Sequence, residues 1–300
     1  MALLGDRTSG AARLRELLRR GSPLCAPGAY DALSARLVAE AGFDAVYLTG
    51  FGASASLLGR PDVGLLTGTE MAGHAARLAD VVDVPLIADA DTGYGNVVNV
   101  IRTVRAYERA GVAGFHLEDQ VAPKKCGHLA GKAVVPVEEH VAKIRAAVAA
   151  RTDPDTVIIA RTDARAVEGF DRAIERAQRY ADAGADVLFV EAPQSVAEIE
   201  ETARRLAGHR LLFNWAEGGR TPAISLADLA ALGYAIVIFP LTALLSATTA
   251  VRESLESLKR EGTPRAAMEA GRLTTFGSFV DDLGLPEVYE LEQRFLDGRA

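Results

Sequence analysis

The chain has only two cysteines, Cys25 and Cys126, far apart in sequence. That is too few for the disulfide framework of a secreted scaffold and suits a reducing compartment, so a cytoplasmic protein is expected. Long runs of lysine and arginine are also missing, and the formal net charge is -7. Both features argue against a nucleic-acid partner, because gripping a phosphate backbone needs a clustered basic face. They leave room for small acidic substrates, which a few local cations can hold. Met1 to Gly21 lacks the apolar core and small-residue cleavage site of a signal peptide. The uncharged stretch from Tyr234 to Val251 approaches the length of a membrane span. Pro240 divides it, however, into a β-branched run, Ala235–Phe239, and a later segment rich in Ala, Ser and Thr. It reads as a buried strand followed by a packed helix, and no membrane partner is expected.

What is present is the composition of a soluble globular protein, 49% apolar and 24% charged, which argues against disorder over most of the chain. Short apolar runs alternate with longer amphipathic segments. The strand candidates are Leu24–Ala26, Ala45–Thr49, Pro85–Ala90, Gly114–Glu118, Thr156–Arg161, Val187–Glu191, Arg210–Asn214 and Ala235–Phe239, each followed by a helical pattern. Such alternation implies a parallel sheet covered by helices. Gly42, Gly111, Gly184 and Gly233 each fall between a helix and the next strand, where glycine serves as a left-handed helix C-cap. Eight units fit a (β/α)8 TIM barrel over residues 1–260. A doubly wound sheet would place a glycine-rich dinucleotide fingerprint after the first strand, and Pro27–Asp31 is not one. Residues 261–300 read as a C-terminal helical extension, either a cap on the barrel or an arm exchanged between subunits.

In a TIM barrel the active site lies at the C-terminal ends of the strands. Here those ends carry Tyr30 and Asp31, Thr49, Asp89 and Asp91, Glu118 and Asp119, Arg161 and Asp163, Glu191, Asn214 and Glu217. A single acid at a βα turn is as readily a helix cap. Several carboxylates brought together from adjacent strands repel one another unless a cation sits among them, and an all-oxygen set suits magnesium or manganese. The expected metal site is Asp89 with Asp62, Asp91 and Glu118. A metal with open positions polarises a 2-oxo acid. Arg161 and the backbone N–H groups of the Thr49-Gly50-Phe51 turn are suited to hold its carboxylate. After the fourth strand, Pro123–Lys132 is rich in functional residue types and reads as a mobile catalytic loop. Cys126, flanked by two lysines and a histidine, is expected to have a lowered pKa and to exchange protons near neutrality. His116 shares a side of its strand with Glu118; a lone barrel histidine is usually a hydrogen-bonded core residue. Trp215 either packs under the rim or shapes the pocket.

These residues resemble the isocitrate lyase / phosphoenolpyruvate mutase superfamily, from Leu24 to beyond Thr242. The most specific likeness is Lys124-Lys125-Cys126-Gly127-His128, which looks like the lyase signature with its cysteine. Pro27–Ser34, Asp89–Gly95, Leu117–Gln120, Ala160–Ala164 and Glu217–Pro222 are also similar. The resemblance implies that Asp89 binds Mg2+ directly and that Asp62, Asp91 and Glu118 bind it through water. Substrate contacts would come from Thr49, Gly50, Phe51, Lys124, Gly127, His128, Arg161, Glu191 and Asn214. It also implies a homotetramer, a dimer of dimers that swap their last helices. A lyase of this kind deprotonates a 2-hydroxyl and cleaves the adjacent carbon–carbon bond, and Cys126 then protonates the departing carbanion. Tyr30 is the candidate for the hydroxyl proton. Leu129 and Gly218 stand where methylisocitrate lyases often carry Arg and Phe. Glu217–Pro222 looks more like the alkylmalate lyases, the plant petal-death type and the carboxyphosphonoenolpyruvate phosphonomutases. Pro240 is similar to lyases and those phosphonomutases rather than to oxaloacetate hydrolases or decarboxylases. The expected activity is cleavage of a methylisocitrate-like or 2-alkylmalate substrate; a phosphonomutase, an oxaloacetate decarboxylase or hydrolase, and a non-catalytic carboxylate-binding barrel are the alternatives.

Overall fold

A computed structural model describes residues 3–4 and 9–296. All eight expected strands form: β1 Leu24–Ala29, β2 Val46–Leu48, β3 Leu86–Asp89, β4 Gly114–Glu118, β5 Val157–Thr162, β6 Val187–Val190, β7 Arg210–Asn214 and β8 Tyr234–Phe239. They pair in parallel and in sequence order, and β8 returns to β1 to close the barrel. Side chains alternate across each strand, so two apolar layers result. Tyr47, Ile87, Ile159, Phe189, Leu212, Ile236 and Ile238 share one cluster with Leu14 and Leu17. Their alternation partners, including Val46, Leu48, Leu86, Phe115, Ile158, Leu188 and Val237, belong to the larger cluster that the outer helices cover.

The helices up to the last strand are α1 Gly10–Leu17, α2 Ala32–Glu40, α3 Gly50–Leu58, α4 Gly68–Asp80, α5 Val97–Arg109, α6 Val137–Ala150, α7 Phe170–Asp182, α8 Val196–Arg205 and α9 Leu226–Ala231. The glycines expected to end helices do so with φ of 87° (Gly42), 81° (Gly111), 100° (Gly184) and 81° (Gly233). One helix goes beyond expectation. Thr49-Gly50-Phe51, read as a turn, opens α3: Thr49 Oγ1 accepts from the Gly52 N–H as its N-cap, and Gly59 ends it in the left-handed conformation.

The chain divides into two compact units between Leu244 and Leu245, inside α10 (Thr242–Glu261). The second unit continues through α11 Arg265–Glu269, α12 Phe276–Asp282 and α13 Leu285–Leu296. It leaves large apolar side chains in the open, with Leu255 58% and Phe276 83% exposed. Among the described residues no helix is long and apolar enough to cross a membrane.

Candidate active site

The strand ends converge on a cavity of about 170 Å³, lined among others by Tyr47, Thr49, Phe51, Asp62, Asp89, Cys126, Gly127, His128, Arg161, Glu191 and Asn214. Its size admits a small metabolite. Each wall is placed by a strand end or by the loop that follows it, as barrel architecture requires. Gly50 begins α3 hard against β3, where an added Cβ would collide with the Asp89 carboxylate. The start of this helix therefore lies against the Asp89 side of the cavity, and a helix N-terminus favours an anion.

Burial decides the electrostatics. Asp62, Asp89, Asp91, Glu118 and Glu191 are all buried, as are Lys124 and Arg161. Lys124 Nζ lies 2.7 Å from Asp62 and 2.9 Å from Asp91. Burial opposes its charge, and the surrounding carboxylates overcome that opposition. Arg161 donates to Asp163 through Nε (2.9 Å) and Nη2 (3.1 Å), and it stands 3.3 Å from Glu118 and 3.8 Å from Glu191. Burial would raise the Glu191 pKa, but Arg161 and His128 beside it hold it well below the usual carboxylate range. Burial wins at Asp91, which is pushed up to about 7, and at Glu118, which is raised well above its ordinary value.

That excess of buried negative charge is the fit test for a divalent cation. Neither Glu118 oxygen accepts a hydrogen bond from the described residues, a costly state for a buried carboxylate unless a further cation or its water reaches it. Among the described residues no three His, Cys, Asp or Glu side chains close up tightly enough to chelate an ion unaided. Magnesium tolerates this, because it keeps several waters and needs only one or two direct carboxylates. The donor set of Asp89, Asp62, Asp91 and Glu118, all carboxylates and all buried, is of a chemistry that suits a hydrated Mg2+.

The Cys126 loop is folded over the cavity. The Cys126 N–H donates to the Asp62 carbonyl at 3.1 Å. His128 Nε2 is 3.3 Å from Glu191 Oε1, and its Nδ1 accepts from the Arg220 N–H at 3.1 Å, joining the loop to the turn after β7. The expectation of a lowered thiol pKa is overturned: burial pushes Cys126 up to about 11. The His128 backbone stays beside the thiol, but the charged side chains of its sequence neighbours turn elsewhere. Lys124 turns to Asp62 and Asp91, Lys125 to the Gly131 carbonyl at 2.9 Å, and His128 to Glu191. Burial therefore favours the neutral thiol of Cys126 over its thiolate.

The structure brings Thr49, Phe51, Asp62, Asp89, Cys126, Gly127, His128, Arg161, Glu191 and Asn214 to one cavity and keeps Asp91, Glu118 and Lys124 in the charge cluster behind it. Tyr30 is not among the lining residues; its carbonyl accepts from His74 and Ser56. The tyrosine in the wall is Tyr47, whose hydroxyl pairs with His116 Nε2 at 2.8 Å. Sequence reading missed it, although alternation along β2 places it on the same side as Thr49. Asp31 is a helix cap, accepting from the Ser34 N–H at 2.7 Å. Asp119 is structural, accepting from Thr162, Tyr180, Arg176 and the Asp163 N–H. Trp215 packs under the rim, stacked on Phe239 with its indole N–H on the Ile224 carbonyl.

Residues 14–259 match the phosphoenolpyruvate phosphomutase family. The chain is 49% identical over 289 residues to 2,3-dimethylmalate lyase of Eubacterium barkeri, covering 96% of this chain and 99% of that one. It is 46% identical over 271 residues to 2-methylisocitrate lyase of Aeropyrum pernix, covering 90% and 86%. Among solved structures, oxaloacetate acetylhydrolase in complex with 3,3-difluorooxalacetate superposes with a TM-score of 0.90 at 40% identity, over 96% of this chain and 98% of that chain. A phosphonopyruvate hydrolase complex with oxalate and Mg++ does so with a TM-score of 0.87 at 34% identity, over 96% and 100%.

Proposed function

This chain belongs to the phosphoenolpyruvate phosphomutase family, and from that premise we propose that it is a magnesium-dependent carbon–carbon lyase. Its substrate would be a 2-hydroxy di- or tricarboxylate of the 2-alkylmalate or methylisocitrate type, which it splits into a 2-oxo acid and a second carboxylate. The observation that carries the reading is the Cys126 thiol in the wall of a cavity that it shares with the buried carboxylates of Asp62, Asp89 and Glu191, where burial favours its protonated form. A thiol that is neutral at rest is equipped to give a proton rather than to take one.

The chain's own residues account for each step. Backbone N–H groups of Gly50 and Phe51, together with Arg161, hold the carboxylate next to the reacting carbon, and Thr49, whose own N–H is given to the Ala29 carbonyl, lines the wall beside them. Tyr47 stands in the wall to take the 2-hydroxyl proton as its own phenolic proton passes to His116 Nε2, 2.8 Å away, an imidazole that burial keeps neutral. The bond between C2 and C3 breaks, and its electron pair moves onto the leaving fragment as an enolate of its carboxylate. Cys126 transfers its proton to that carbon, leaving a thiolate that solvent reprotonates. Asp89, with Asp62, Asp91 and Glu118, would hold Mg2+, which would supply Lewis-acid stabilisation of the negative charge that develops in the reaction. Glu191 and Asn214, joined by Nδ2 contacts of 3.2 and 3.3 Å, orient the Arg161 and His128 side of the cavity. The exposed apolar side chains of the C-terminal unit support association of several copies, as in the helix-swapped homotetramer that the resemblance implies.

The test is release of 2-oxo acid from 2,3-dimethylmalate, 2-methylmalate, methylisocitrate and isocitrate, with oxaloacetate loss followed in parallel, in magnesium and in chelator. Cleavage of one hydroxy acid that stops on chelation supports the lyase. Inactivity on all four hydroxy acids in a folded, magnesium-loaded protein refutes it and directs attention to phosphonates.

A further inference from the structure

We propose that Lys132 is a positioning residue, the buried pin that holds the Cys126 loop closed and ties its closure to Arg161. The Lys132 side chain is 2% exposed and its ammonium lies 3.0 Å from Asp163 Oδ1. It also donates to the carbonyl of Gly127, the residue after the cysteine. A buried ammonium is tolerated only with such partners, so the pin and the loop backbone form one unit. Lifting the loop takes the Gly127 carbonyl away and leaves the ammonium half-partnered, which forces Lys132 toward water as the loop opens.

The same carboxylate also holds Arg161, a residue of the cavity wall. Asp163 accepts two hydrogen bonds from Arg161, and its own backbone N–H is held by Asp119 at 2.9 Å. Gly127 meets Arg161 from above, at a distance that leaves no room for a side chain: a Cβ there would lie 2.6 Å from Arg161 Nη2. Arg161 is thus clamped between the closed loop and the anchor of that loop. Loop closure and guanidinium position therefore change together, and Lys132 carries the coupling.

For its kinetic arm this inference rests on the lyase reading; its accessibility arm does not. Lys132→Met and Lys132→Gln in the full chain would be compared with the parent for alkylation of Cys126 by iodoacetamide, read by peptide mass spectrometry. Cys25, on β1, serves as internal reference. Loss of a nearby positive charge by itself slows alkylation, so acceleration reports opening. Cys126 in Lys132→Met is expected to react about tenfold faster or more, with Cys25 unchanged, because alkylation follows the population of the open loop. Lys132→Gln, which keeps a donor for the Gly127 carbonyl, should fall between it and the parent. With a cleavable substrate, kcat should drop in the same order while the melting temperature moves little. Unchanged Cys126 reactivity in a folded variant overturns the proposal, as does equal acceleration at both cysteines, which marks general loosening. If Lys132→Met does not fold, Lys132→Gln decides by the same two readings. Alkylation as proposed in a protein without turnover would reject the lyase reading and keep the pin.

Discussion

At the N-terminal end of the barrel Asp186 is held by Arg15 and Arg151, each at 2.8 Å, and accepts from the Ile158 N–H at 2.9 Å. Leu14 and Leu17 of α1 join the inner apolar layer there. At the C-terminal end Asp62 and Asp91 share the single ammonium of Lys124, and Glu118 has no hydrogen-bond donor among the described residues. Both ends gather acids, but only one neutralises them within the chain. The lesson is that charge placed for stability arrives with its partners, and charge placed for a ligand does not.

Substitutions at the two ends should therefore differ in which property they damage. The largest effect is expected from Cys126→Ser, which should lower turnover by about 10²–10⁴-fold, the usual contribution of a proton donor, while leaving the melting curve in place. At the floor, Leu14→Ala should cost about 2–5 kcal/mol of stability and leave kcat per folded molecule unchanged, measured by urea unfolding alongside initial rates. Next come two charge removals with opposite signs. Asp186→Asn should destabilise by about 1–3 kcal/mol through unpaired donors. Glu118→Gln should make the metal-free protein more stable, by about 1 kcal/mol, and slower. Destabilisation by both would break the comparison.

The smallest effect is a slope. Burial lifts the Asp91 pKa to about 7, above its unfolded value near 4, so the folded state binds more protons between those limits. Stability contributed by this group is then full below pH 4 and is lost as pH rises toward 7. Thermal melts in chelator should show this decline. Asp91→Asn should flatten it, and magnesium should offset it. A metal-free protein that grows more stable from pH 4 to 7, by an amount that Asp91→Asn removes, would reverse the assignment.

The barrel was readable in the sequence because β-branched runs and the helix-ending glycines repeat at regular intervals. α3 was not: Gly50-Phe-Gly-Ala-Ser-Ala-Ser-Leu-Leu58 consists largely of small residues that read as turn, and the cap by Thr49 decides it. The strand-end carboxylates were visible because barrel topology fixes where strand ends go. Cys126 was misjudged electrostatically because flanking residues in a loop point away from one another, and Lys124 found stronger partners at a distance in sequence. Tyr47 and Lys132 needed the structure for a related reason. One is an ordinary-looking strand residue, and the other lies at the end of a lysine-bearing loop whose fold brings its ammonium back to Gly127.

The most direct measurement is cleavage in D2O of whichever hydroxy acid the chain accepts, with the released carboxylate analysed by NMR. A thiol donor fixed in the cavity wall should place one deuterium on one face of the carbon that left, and Cys126→Ser should lose that outcome together with the rate. Label on both faces, or an undiminished rate in Cys126→Ser, would contradict Cys126 as the acid.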